Sequence, residues 1–301
     1  MIYLRKEISF YNSVMKNGTS KGQINTFKKK IKFIGRNILF FNHSKKIADF
    51  LMTHRFLKNE VYRYPALCSK IHRPYITNFL KIHDKVDIII SSYKFLDKFF
   101  NDATLETLYK NGEMKICDVI GKNEDSFSIV LNLYTNFEKE GEFNLTCYNS
   151  DSKMLAKMTF AMKGNKIIIG GLQGLEKGED PEIIKTATKS LYGTFPKKLL
   201  IEALYDLFPQ CEKIAVGNES HIYLSARYKF KKYRTINADY DDFWENLNGH
   251  KKGVMWSLPQ EIERKNIEDV PSKKRSMYNN RFRVLDEMKA SIDKFLTDNK
   301  R

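Results

Sequence analysis

The chain has 301 residues, of which 42% are hydrophobic, with 21 Phe, 16 Tyr and 2 Trp. That content excludes a disordered chain and suffices for one large core or two modest ones. The formal net charge of +16 is unevenly placed: residues 1–100 hold 20 Lys/Arg against 6 Asp/Glu, residues 101–200 hold 13 against 14, and residues 201–301 hold 19 against 16. Such a field favours anionic partners, namely acidic lipid, nucleic acid, a phosphorylated cofactor or an acidic protein. A lysine-rich compositional bias explains the surplus as a whole equally well, but explains its concentration in the first third less well.

No stretch approaches 18 apolar residues, so no transmembrane helix is expected. The start carries Arg5, Lys6 and Glu7 without an apolar run behind them, which predicts no signal peptide. Cys68, Cys117, Cys147 and Cys211 form no Cys-x-x-Cys pair, and His43, His54, His83 and His250 show no ligand spacing, so no metal site is expected. Reduced thiols and a cytoplasmic location, with peripheral attachment at the inner membrane, fit these features.

In chain order, residues 1–40 mix lysines with apolar residues, most densely over Lys28-Lys29-Lys30-Ile31-Lys32-Phe33-Ile34. The plain reading is a solvated helix with one core face; the alternative is an amphipathic arm on a membrane surface. Residues 44–100 read as helical, with Ser44 as an N-cap and a stripe through Val86, Ile89, Ile90, Tyr93, Leu96 and Phe100. Asp97 falls beside the stripe and is expected to face solvent. Ser126 to Tyr134 and Glu142 to Tyr148 read as strands joined by a polar turn over Asn136–Gly141. Lys157–Lys166 reads as a hairpin around Gly164-Asn165.

The most informative run is Ile167-Ile168-Ile169-Gly170-Gly171-Leu172-Gln173-Gly174. A β-branched strand ending in three glycines predicts a turn with positive φ or close backbone approach. Asp180-Pro181-Glu182 then opens a helix that stops at Gly193, and Phe195-Pro196-Lys197 opens a second. Lys213 to Asn218 reads as a further strand, followed by His221. A charged region with a helical stretch around Val284, Leu285, Met288, Ile292 and Phe295 closes the chain.

The motifs Ile169-Gly170-Gly171-Leu172-Gln173-Gly174, Gly193-x-x-Pro196-Lys197, Gly217-Asn218-x-x-His221, Tyr240-Asp241-Asp242-Phe243-Trp244 and Leu67-x-x-x-x-His72-Arg73-Pro74-Tyr75 together resemble the bacterial VirK/YbjX family, over roughly residues 40–285. That resemblance implies a role in envelope integrity, virulence and tolerance of membrane-active peptides, without an agreed catalytic mechanism. The order of elements also resembles the GNAT-type acyltransferases, which use an antiparallel meander, a glycine-bearing turn and a helix that receives coenzyme A pyrophosphate. The glycine loop here departs from that pattern, because Gln173 is followed directly by Gly174, Leu175 and Glu176. Glu176, Glu179 and Asp180 oppose a phosphate at the turn itself.

The expected fold is therefore α+β: a helical N-terminal region (1–105) packed on an antiparallel-sheet region with helices (106–260), followed by a charged helical tail (261–301). The expected ligand-binding residues are Gly170, Gly171, Gln173, Gly174 and Asn218. His221 is the candidate for proton transfer, with Glu219 to raise its basicity, and Arg227 and Tyr223 bind an anionic group or donate a proton. A loop histidine with an ordinary hydrogen bond is the bland reading. If the strands before Gln173 and His221 lie side by side, Gln173, His221 and Arg227 converge on one pocket. The expected activity is transfer of an acyl or related group to a peptide, protein or lipid precursor, with a coenzyme A-type donor. The alternative is a nonenzymatic basic module that binds anionic membrane or an envelope protein. Nucleic acid is permitted by charge but supported by no motif.

Overall fold

The fold is described from a computed structural model covering residues 2–17, 26–133, 138–176, 178–225 and 239–301. Helices come first: α1 (Ile2–Asn17), α2 (Phe27–Leu39), α3 (Phe41–Thr53), α4 (Leu57–Arg63), α5 (Ala66–Ser69), α6 (Ile82–Phe99) and α7 (Asp102–Asn111). The α6 helix follows the expected stripe, burying Val86, Ile89, Tyr93 and Leu96. Asp97 is only half turned to solvent, since its carboxylate lies 3.1 Å from His54 Nε2. Ser44 is not a cap: α3 already begins at Phe41, and Ser44 is buried inside it, where its carbonyl accepts a hydrogen bond from Tyr11.

Among the described residues eight strands follow: β1 (Glu113–Ile120), β2 (Ser126–Leu133), β3 (Phe143–Asn149), β4 (Met154–Lys163), β5 (Lys166–Gln173), β6 (Glu212–Val216), β7 (His250–Lys252) and β8 (Met255–Ser257). They form one sheet in the order β1-β2-β3-β4-β5-β6-β8-β7. Every neighbouring pair is antiparallel except β5 and β6. The β4–β5 hairpin turns at Gly164-Asn165, and only Gly164 takes a positive φ (60°), as Gly does at the first central position of a tight hairpin.

The central strands are buried on consecutive residues, Leu155–Ala156 and Met158–Met162 on β4 and Ile167–Leu172 on β5. Consecutive burial on a period-two strand means that both faces are covered. The cover comes from α6 and from α9 (Pro196–Leu207), both of which touch β4, and from α11 (Ser272–Asn299), which packs on β1 and α9. Ser92 of α6 fastens that helix to β4 by accepting from Met162 N (2.8 Å). The charged C-terminal stretch is thus a packed helix, burying Val284, Leu285, Met288 and Ile292. One continuous apolar cluster runs from Phe10 to Ile292.

The β5-to-β6 connection passes through α8 (Glu182–Ser190) and α9 before returning parallel. A parallel return places the carboxyl ends of both strands at the same edge of the sheet. The expected glycine turn is corrected here. Gly170 and Gly171 lie inside β5, which stays paired with β4 as far as Gln173↔Lys157, and neither takes a positive φ. Gly170 is the extra residue of a bulge between Thr159 and Phe160. What both glycines serve is the close approach of residue 140.

Candidate functional site

Parallel pairing of β5 and β6 runs from Lys166↔Glu212 to Ile169↔Ala215, and β5 continues for four residues beyond it. Segment 138–142 lies against this free end. A Cβ on Gly170 would overlap the Glu140 carbonyl oxygen, and one on Gly171 would overlap Glu140 Oε2. The two glycines therefore make room for a fully buried carboxylate. Gln173 Nε2 donates to both Glu140 oxygens, at 3.2 and 3.1 Å.

After β6 the chain makes a short turn over Asn218–Ser220 and delivers His221. This turn is clamped to α10 (Tyr240–Glu245). Asn218 Nδ2 donates to Asp239 (2.8 Å), Asn218 Oδ1 accepts from Tyr240 N (2.9 Å), and Asp241 Oδ1 accepts from both Asn218 N and Trp256 Nε1 (2.8 Å each). Trp244 Nε1 donates to Val216 O (2.8 Å). The Gly-Asn-x-x-His and Tyr-Asp-Asp-Phe-Trp motifs are two halves of one lock. Asn218 holds the N-terminus of α10 in it.

The lock fixes His221 against Tyr240. Their rings stack at 5.2 Å and 19°, and Tyr223 lies 5.0 Å away on another side. His221 is 2% exposed. Its Nδ1 accepts from Tyr223 N (3.4 Å), while its buried Nε2 meets no partner among the described residues. Burial pushes the imidazole pKa down to about 4, so the ring is neutral near pH 7. Glu219 does not raise its basicity: that carboxylate is exposed and pairs with Lys251 at 3.4 Å. Tyr240 OH accepts from Leu172 N on β5 (3.3 Å). Burial, then the charge of Glu140, raises the Tyr240 pKa and keeps the phenol protonated.

The structure thus links Gln173, Glu140, Tyr240, His221 and Tyr223 in a continuous row across the ends of β5 and β6. Arg227 lies outside the described residues. The row carries no metal set, since no group of three or more His, Cys, Asp or Glu among the described residues is placed to hold an ion. Glu140 escaped the sequence reading because it stands in a charged stretch that reads as a solvated turn. The available signal was the glycine pair, which required something to approach β5.

The His-Arg-Pro-Tyr segment braces the row from behind. Ile76 N donates to Lys139 O (2.7 Å), Asn78 N donates to Ser220 O (3.1 Å), and Thr77 bridges to His221. Between them Ile76 sits at φ 56°, closed by Thr77 N donating to Tyr75 O (2.6 Å). That conformation is costly for a β-branched residue. Buried Tyr75 OH and Lys70 Nζ both donate to Glu142 Oε1, at 2.5 and 2.8 Å. His72 faces away, with Nε2 3.0 Å from Asn37 Oδ1 and its ring on Phe40. The segment is a joint between residues 138–142 and 218–221.

A cleft of about 540 Å³ is lined by Gly174, Leu155, Ile184, Phe195, Lys197 and Phe243 among others, and by none of the five row residues. Gly174 follows the last residue of β5, and Phe243 belongs to the same helix as Tyr240. A Cβ on Gly174 would sit 3.5 Å from Lys197 Cε, an ordinary contact. Lys197 and Lys198 stand in the first turn of α9, which no side chain caps. Burial lowers the pKa of the Lys197 ammonium.

These features define an α+β protein built on one mixed sheet, with a buried carboxylate–tyrosine–histidine row at its sole parallel strand pair among the described residues. The chain belongs to the family described as "Protein of unknown function (DUF535)", whose model matches residues 22–294, and this is the VirK/YbjX family that the motifs resemble. It is 34% identical over 238 residues to "Uncharacterized protein YbjX" of Escherichia coli (strain K12), covering 76% of this chain and 72% of that protein. Two proteins of Haemophilus influenzae (strain ATCC 51907 / DSM 11121 / KW20 / Rd), each named "Uncharacterized protein", are similar as well. One is 25% identical over 268 residues, with 88% and 89% of the two chains covered. The other is 30% identical over 262 residues, with 85% and 82% covered. No solved structure matches. Among the described residues, no helix is long and apolar enough to cross a membrane.

Proposed function

We propose that the chain is a group-transfer enzyme that moves an acyl or related group from a phosphorylated, coenzyme A-type donor to a peptide, protein or lipid precursor. The observation that carries this reading is the pairing of an apolar cleft with a chemical row. The cleft at Gly174 and Phe243 has two lysines and an uncapped helix start at α9; it shares with the row the end of β5, next to Gln173, and the helix of Tyr240, while its lining holds none of Glu140, Tyr240 and His221. An apolar arm fits such a cleft, and phosphate oxygens suit free amides and lysines at a helix N-terminus. The antiparallel meander leading into a helix supports the same reading, as fold-level analogy only.

In this reading His221 Nε2, neutral and without a partner among the described residues, accepts a hydrogen bond from the attacking N–H or O–H and orients it. Tyr240 and Tyr223 offer phenols beside it. Glu140 and Gln173 fix the end of β5. The envelope, virulence and peptide-tolerance setting implied by the family resemblance makes a surface-directed lipid precursor or peptide the acceptor class.

Native mass spectrometry of the freshly purified chain, then titration with coenzyme A and with short- and long-chain acyl-coenzyme A, tests the reading. Binding that weakens in Lys197→Glu is expected, as is thiol release when hydroxylamine is added as the acyl acceptor, forming the hydroxamate, with that release lost in His221→Gln. No retained donor and no binding of either form at millimolar concentration would end it.

A further inference from the structure

We propose that the α1–α2 face is a docking surface for an anionic lipid bilayer. The inference stands on other residues than the transfer site and does not depend on that reading. Helix α2 has two apolar faces. Phe33 and Asn37 are buried against the fold. Phe27, Ile31, Ile34 and Ile38 repeat at spacings of four, three and four on the outer side, and they are 80%, 53%, 43% and 71% exposed. An outward stripe of that size contributes nothing to the core.

The stripe continues sideways into a groove of about 510 Å³ between α1 and α2, walled by Ile8, Met15, Ile34, Ile38 and Phe41. Its surroundings are predominantly basic: the acid in its lining, Glu7, is buried and paired with Lys45 at 2.9 Å. Residues 8–48 contain nine Lys/Arg and no Asp or Glu. At 100° per residue, Lys28 and Lys32 flank the stripe on one side and Lys30 on the other. Apolar residues between flanking lysines match an interfacial helix, which buries its apolar edge among acyl chains while lysine stems reach the acidic headgroups. A second copy of the chain fits poorly, because two such faces would bring like charges together. Nucleic acid would leave the isoleucines without a partner.

The test is flotation of the full chain with vesicles of phosphatidylglycerol and phosphatidylcholine, and with phosphatidylcholine alone. Binding to the acidic vesicles only, weakened by added salt, is expected. The double variant Ile31→Ser/Ile38→Ser should bind roughly tenfold or more weakly, with circular dichroism and melting temperature unchanged because both positions are exposed. Lys28→Gln/Lys32→Gln should also weaken binding. In Ile38→Trp, indole emission should shift to the blue on adding acidic vesicles only. Equal binding to neutral vesicles overturns the proposal, as does undiminished binding of the isoleucine variant. A wild-type dimer that the isoleucine variant splits into monomers would assign the stripe to a second copy and overturn it as well.

Discussion

The imidazole of His221 lies face to face with the phenol of Tyr240, with 5.2 Å between centroids and 19° between planes. Through this stack, two segments that both follow β6 meet β5, because Tyr240 OH takes the Leu172 amide. The contact encloses the imidazole, and enclosure sets its protonation state.

His221 has a pKa of about 4 in the fold against 6.5 for a free histidine, from burial, and His72 falls to about 4 from burial and then from Arg36, Lys85 and Arg73. Between those two values the unfolded chain binds more protons than the folded one. Stability is therefore full above about pH 6.5 and is lost as pH falls toward 4, by up to ~3 kcal/mol per histidine. Urea unfolding across pH 4 to 7 should show this acid slope. His221→Gln should remove about half of it, and an unchanged slope would place the titrating groups elsewhere.

Glu140 and Gly171 should behave as a coupled pair. Gly171→Ala pushes a methyl into Glu140 Oε2 and should cost ~1–3 kcal/mol. Adding Glu140→Ala removes the obstructing carboxylate, so the double variant should recover most of that cost relative to Glu140→Ala alone. Gly170→Ala should not be rescued in this way, since it meets the Glu140 carbonyl rather than its side chain. A double-mutant cycle by chemical denaturation reads both results, and additivity at Gly171 would disprove the contact.

That pair also marks where the sequence stopped being legible. The strands of the meander, the hairpin at Gly164 and the return of the chain into β6 follow from local patterns, because alternation, turn residues and helix caps act over a few positions. That β5 and β6 lie side by side stood only as the condition for bringing Gln173 and His221 together, and their parallel pairing is set by the two intervening helices. The role of Gly170 and Gly171 was not: a glycine that admits a distant backbone resembles one that turns a chain, and only the position of residue 140 distinguishes them. Glu140 read as solvated because its burial is made by residues some thirty positions away. Likewise Asn218 looks like an exposed loop residue until Asp239 and Tyr240 are placed on it. β1 was missed because Glu113, Lys115 and Asp118 break its apolar run, as befits an edge strand.

Asp241 is the centre of the lock, with one oxygen accepting from Asn218 N and Trp256 Nε1. Hydrogen bonds to a carboxylate contribute about 1.5–3 kcal/mol each. Asp241→Ala should therefore lower stability by roughly 2–4 kcal/mol. It should also free the 218–221 turn, seen as faster hydrogen exchange at Tyr223 N and a His221 pKa moving back toward 6.5. A destabilised variant whose His221 still titrates near 4 would show that the stack holds without the lock.

The four cysteines give a last expectation, relevant to any assay that follows released thiol. All four are buried, and burial pushes Cys117 and Cys147 up to about 12 and raises Cys68 and Cys211 as well. A thiol held that far above neutral pH presents almost no thiolate, which is the reactive form. The native chain should accordingly react with a disulfide reagent only as fast as it opens, and all four thiols should appear together in strong denaturant. Protection should fall with urea in step with unfolding. Rapid modification of a single cysteine in the native chain would show that one of these sites is open to solvent.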